Sequence, residues 1–162
     1  MQKILVSSCL LGNKVRYNAG CLSLQRADLD WLETHCELVV FCPEQSAGLP
    51  TPRAPAEIVQ GQGIDVLQGR AQVLNNDGSD VTQPFILGAE KTLTICQSLA
   101  IKYALLAEGS PSCGSTVIYD GSFSGNKVKG AGVTAALLEQ AGIQVFNQYS
   151  ISQLKAALAA NA

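Results

Sequence analysis

The chain is poor in histidine, in charge and in long apolar runs. His35 is the single histidine, so no Ser–His–Asp triad can be argued, and its place at a helix end beside Cys36 suits a surface residue. Charged residues make up 15%, against roughly 25% in a typical domain. Net charge is -2. With no basic excess to neutralise a polynucleotide backbone, neither RNA nor DNA is expected as the main partner. No apolar stretch reaches the ~18 residues of a membrane-spanning helix. The apolar start Ile4-Leu5-Val6 breaks at once into Ser7-Ser8-Cys9, so no secretory signal is expected. Cys-x-x-Cys pairs, the usual knuckles of structural zinc, are absent, as is ferredoxin-type cysteine spacing. Six cysteines in 162 residues are too sparse for a disulfide scaffold. A reducing, cytoplasmic setting is expected, where grouped cysteines more often bind metal or do chemistry.

What is present is an ordinary globular composition, 47% apolar, in a length that suits one domain over residues 1–162. Continuous apolar runs at 4–6, 38–41 and 103–107 read as strands covered on both faces, as in a parallel sheet. The spacing predicts strands over 2–9, 37–42, 103–107 and 143–146, with a short one at 116–119. Helices are expected over 23–36, 81–102, 133–141 and from 150 onward. Residues 43–55, crowded with proline and glycine, read as a long loop of the kind that is usually functional. Modest alternation over 56–76 suggests two short antiparallel strands. Together these predict an α/β fold: a Rossmann-like, mainly parallel sheet with helices on both faces and a small antiparallel insertion.

Cys9, Cys42 and Cys113 each stand just past one of the three apolar runs. In an open parallel sheet, ligands bind beyond the carboxyl ends of the strands. Neighbouring strands would therefore bring these thiols to one rim. Thiolates favour zinc, cuprous copper and iron–sulfur clusters over hard ions. A cysteine taken alone is more often a small buried hydrophobe, and Cys36 and Cys96 fit that description. Cys21 lies in a loop and is a reserve ligand. Glu44, just past Cys42-Pro43, is placed to act as a general base or acid, though a solvated loop glutamate would look the same. Ser110, Ser112 and Ser115 flank Cys113 and could donate hydrogen bonds, or simply be turn residues. Arg53 could clamp an anionic or planar group, and Arg16 with Tyr17 could stack on a ring. Gly130-Ala131-Gly132 before a helix could admit a phosphate. However, Ala135 breaks the dinucleotide pattern, and a tight turn explains both glycines.

Four blocks carry a resemblance to a known family. They are Ser8-Cys9-Leu10-Leu11-Gly12 with Arg16 to Gly20, Phe41-Cys42-Pro43-Glu44 with Gly48 to Glu57, Ser110-Pro111-Ser112-Cys113-Gly114, and Gly130 to Leu138. In this order, over roughly residues 4–146, the chain resembles the thiouracil desulfurases, formerly a domain of unknown function. The resemblance implies a 4Fe–4S cluster held by three cysteines, here Cys9, Cys42 and Cys113, with one iron open as a Lewis acid. It implies removal of sulfur from a thiolated uracil, as base or nucleotide, without net redox change and with release of hydrosulfide. Glu44 would be the catalytic acid/base, and Ser110 or Ser112 would bind the base. The alternatives are a sulfur-transfer enzyme or a redox-sensing module, built on iron–sulfur or zinc.

Overall fold

The computed structural model describes residues 1–11, 24–49 and 54–160. Its centre is a four-stranded sheet built from β1 (Gln2–Ser7), β2 (Cys36–Phe41), β5 (Tyr103–Leu105) and β8 (Gln144–Phe146), in the order β2-β1-β5-β8. Every pairing is parallel: Leu5 stands opposite Val39 on one side and Ala104 on the other. Parallel strands need crossovers, and these supply the two helical layers. Ile4 and Val6 face one layer, packing with Leu32 of α1 (Arg26–His35) and Leu154 and Leu158 of α6 (Ile151–Ala160). Leu5 and Ala104 face the other, against Cys96 of α4 (Thr82–Ser98) and Ala135 and Leu138 of α5 (Val133–Gln140). Being covered on both faces, β1 has no polar side chain between Ile4 and Val6, as its sequence implied.

Beside this layered body sits the expected antiparallel piece, β3 (Ala56–Val59) paired with β4 (Gln72–Asn75). Its inner residues Ile58 and Val73 close a third core with Phe85, Ile118 and Val133. Three elements were not expected. Residues 43–55 contain a helical turn, α2 (Pro43–Ser46), in which Pro43 starts the helix rather than only ending a strand. The segment between β3 and β4 contains α3 (Gly63–Leu67), where Asp65 Oδ2 accepts the Gln62 N–H at 2.9 Å and caps the first turn. The third is β7 (Lys127–Lys129), antiparallel to β6 (Val117–Tyr119), with all its residues exposed. The first strand also ends earlier than expected: after Ser7 the backbone tightens into a 3-10 turn over Ser8–Leu11, so Cys9 sits in the turn. Among the described residues, no helix is long and apolar enough to cross a membrane.

Candidate functional site

β1 lies between β2 and β5, so the carboxyl ends of the three cysteine-bearing strands are neighbours. The chain leaves β1 to one side as β2 and returns on its other side as β5. That reversal is where open α/β sheets present a crevice. Cys9 follows β1, Cys42 follows β2, and Cys113 lies in the loop after β5. All three line one cavity of about 580 Å³, a size typical of small-molecule sites. Cys9 and Cys113 are buried and Cys42 is half-buried; the five described cysteines are thiols, not disulfide halves.

Electrostatics tie the three together. Burial pushes the Cys113 thiol well above its ordinary value, and negative charge on Glu44, Cys42 and Cys9 pushes it further. A hydrogen bond from Ser7 Oγ to Cys113 Sγ, at 3.9 Å, works the other way. The Ser7 hydroxyl is itself held by the Ala107 N–H at 3.3 Å, across the β1–β5 junction. Thiolates and a carboxylate sharing a buried pocket repel unless positive charge sits among them. The donor set is soft and suits iron–sulfur or zinc chemistry. Among the described residues, no group of three or more His, Cys, Asp or Glu side chains is arranged to hold a metal ion.

Glu44 occupies the first turn of α2 and lines the same cavity. That turn is fixed from behind by α4. A Cβ on Gly88 would lie 2.4 Å from the Pro43 carbonyl oxygen, so only glycine lets the two backbones approach this closely. Lys91 Nζ donates to the Ser46 carbonyl at 2.9 Å and ties down the far end of α2. Gly88, in the interior of α4, is a packing requirement.

The three serines around Cys113 do different things. Ser110 lines the cavity, and its Oγ accepts the N–H groups of Ser112 (3.0 Å) and Cys113 (3.2 Å), leaving its proton to donate. Ser112 is buried behind the wall, its hydroxyl bonded to Thr134 Oγ1 at 2.7 Å. Ser115 turns toward Glu108, whose carboxylate accepts both its N–H and its hydroxyl. The start of α5 is closed to a phosphate. The N–H groups of Gly132, Val133, Thr134 and Ala135 are taken by the carbonyls of Gly114, Pro111 and Ser112. A Cβ on Gly132 would meet the Pro111 and Ser112 oxygens at 2.6 Å, so the tight approach explains that glycine.

Arg53, Arg16, Tyr17 and Cys21 lie outside the described residues. Cys96 is buried in α4, which raises its thiol to about 11. Cys36 is likewise buried, and burial raises its thiol too. His35 is exposed and stacks on Trp31, with ring centroids 4.2 Å apart. Sequence reasoning missed Ser7, Glu57 and Glu108, all on the cavity wall. Glu57 is a buried carboxylate that accepts the N–H groups of Gly121 (2.9 Å) and Phe123 (3.2 Å). Burial opposes charge on Glu108, but hydrogen bonds from Thr116, Val117 and Gly109 outweigh it and hold the carboxyl below its ordinary value. A lone charge directly after an apolar strand was the signal that could have marked Glu108. For Ser7 and Glu57 the sequence offered none.

The family profile described as 2-thiouracil desulfurase matches residues 4–150. The uncharacterised protein YbbK of Bacillus subtilis (strain 168) is 44% identical over 151 residues, which is 93% of this chain and 99% of YbbK. The solved structure of the [4Fe-4S]-dependent thiouracil desulfidase TudS superposes with a TM-score of 0.87 at 45% identity, covering 98% of this chain and 99% of that one.

Proposed function

Since the chain belongs to the 2-thiouracil desulfurase family, we propose that it is an iron–sulfur-dependent desulfurase that replaces the thiocarbonyl sulfur of a thiolated uracil by oxygen. The observation that carries this is the meeting of Cys9, Cys42 and Cys113 on one cavity at the ends of three adjacent strands. These thiols would hold a 4Fe–4S cluster. Ligands drawn from three separate segments of the chain suit a centre grafted onto a preformed sheet rim. When bound, the cluster supplies an iron without a protein ligand, a Lewis acid with affinity for sulfur.

The chain's own residues do the rest. Glu44 takes a proton from water as the water oxygen attacks the thiocarbonyl carbon, then returns it to the departing sulfur. Water supplies the new carbonyl oxygen, its second proton passes to solvent as the carbonyl forms, and sulfur leaves as hydrosulfide, so nothing is oxidised or reduced. Ser110 donates its remaining proton to the ring and orients it, while Ser112 holds the Ser110–Cys113 loop from behind through Thr134. Ser7 supports the Cys113 sulfur. Arg53 would clamp the substrate. Residues 1–162 act as one desulfurase domain in the cytoplasm.

The test is a panel of thiolated uracils, as base, nucleoside and nucleotide, given to anaerobically cluster-loaded protein. Loss of thiocarbonyl absorbance with stoichiometric hydrosulfide is expected for at least one. A loaded protein that turns over none of them is not a desulfurase. Sulfur transferred to an acceptor rather than released would favour a transferase.

A further inference from the structure

We infer that Glu108 is a positioning residue: its carboxylate clasps shut the loop that presents Ser110 and Cys113 to the cavity. The inference rests on the proposed roles of those two residues. Oε1 accepts four backbone N–H groups, from Gly109 (3.2 Å), Ser115 (2.9 Å), Thr116 (3.2 Å) and Val117 (3.3 Å). Oε2 accepts the hydroxyls of Ser115 (3.3 Å) and Thr116 (2.7 Å) and the Asn147 amide. The donors come from both sides of Cys113 in sequence, so one side chain ties the loop's exit back to its entry.

The clasp also joins the loop to the segment after β8. The Glu108 N–H donates to Gln148 Oε1 at 2.9 Å, and Asn147 Nδ2 donates to Ser115 Oγ at 3.1 Å. Behind the loop, α5 is locked onto the carbonyls of Pro111, Ser112 and Gly114. Glu108, itself on the cavity wall, restrains the two ends of the loop. Anionic acceptors make stronger hydrogen bonds than neutral ones, and these bonds support the part-buried charge of Glu108.

The chemistry requires a carboxylate. Every partner of both oxygens is used as a donor, and a glutamine offers only one acceptor oxygen. With its oxygen at the four N–H groups, its amide nitrogen would face two hydroxyls, which can turn, and Asn147, which must flip. Flipping Asn147 gives up the bond from the Tyr149 N–H to Asn147 Oδ1, now 2.8 Å. Glu108→Gln therefore loosens one half of the clasp, and Glu108→Ala opens both.

The experiment follows thiol labelling of the cofactor-free full chain, resolved by mass spectrometry, in wild type, Glu108→Gln and Glu108→Ala. Cys113 is expected to label at least about tenfold faster in both variants, equivalent to ~1.4 kcal/mol of easier local opening. Cys96 and Cys36 keep their wild-type rates. In the loaded protein, Glu108→Gln moves the cluster's midpoint potential upward, since a negative charge leaves the cavity wall. Turnover falls by about 10–100-fold. Unchanged Cys113 labelling in Glu108→Gln would overturn the clasp, as would equal acceleration of all three cysteines, which signals general unfolding. If Cys113 labels faster yet wild type shows no thiouracil turnover, the clasp stands and the desulfurase reading falls.

Discussion

Replacing Gly88 with alanine tests how closely helix packing governs the site. An alanine in a helix interior is favoured over glycine by about 1 kcal/mol, so sequence propensity alone predicts a more stable protein. The structure predicts the opposite. The new Cβ would stand 2.4 Å from the Pro43 carbonyl oxygen, where ordinary contact begins near 3.4 Å. The obstacle is backbone and cannot swing aside, so α2 or α4 must retreat by about 1 Å. Overpacking of this kind costs roughly 1–3 kcal/mol, and with backbone against backbone the upper part of that range applies. The net effect is a loss of about 1–2 kcal/mol, or a fall in Tm of about 2–8 °C for a chain of this length. Because α2 carries Glu44 two residues after Cys42, the same displacement should lower turnover by about 100-fold. Calorimetry of the loaded protein and a thiouracil assay read the two effects. An alanine variant that melts at or above the wild-type temperature with full activity would refute the claim that α4 positions Glu44.

Glu44→Gln should abolish turnover while leaving the cluster's visible spectrum intact; full activity would remove Glu44 from the chemistry. Acid should loosen the Cys113 loop through Glu108. Its carboxyl is held below the ordinary value of 4.5, so its contribution to stability is fully present above that pH and is lost as pH falls through the folded value. Hydrogen exchange at Ser115 to Val117 should therefore rise below about pH 4.5 in wild type and lose that pH dependence in Glu108→Gln. Among the described residues Ser8 Oγ is buried without a hydrogen-bond partner, so Ser8→Ala should leave the cofactor-free protein as stable as wild type or more so. A drop in its Tm beyond 2–4 °C, about 1 kcal/mol, would mean that the hydroxyl is satisfied.

The parallel sheet was legible because strands covered on both faces leave uninterrupted apolar runs, as at Ile4-Leu5-Val6. The gathering of three cysteines followed from their common position past such runs. What the sequence concealed was set by contacts between distant segments. α2 was hidden because Pro43 both ends one element and begins another. β7 was hidden because Lys127-Val128-Lys129 is exposed on all sides and has no buried face to create a pattern. Ser110 and Ser112 look equivalent in sequence, and only the approach of Thr134 from α5 turns one away from the cavity. Apart from Gly109, the partners of Glu108 arrive only as distant segments fold back onto it, so its role exists only in the closed loop.

Iron and acid-labile sulfide, counted per chain after anaerobic reconstitution, test the centre most directly. Wild type should hold about four of each, as a 4Fe–4S cube requires. Cys9→Ser, Cys42→Ser and Cys113→Ser should each lose most of both, whereas Cys36→Ser and Cys96→Ser, if folded, should keep them. A colourless wild type, or full iron retained when any of Cys9, Cys42 and Cys113 is replaced, would contradict a cluster held by these three thiols.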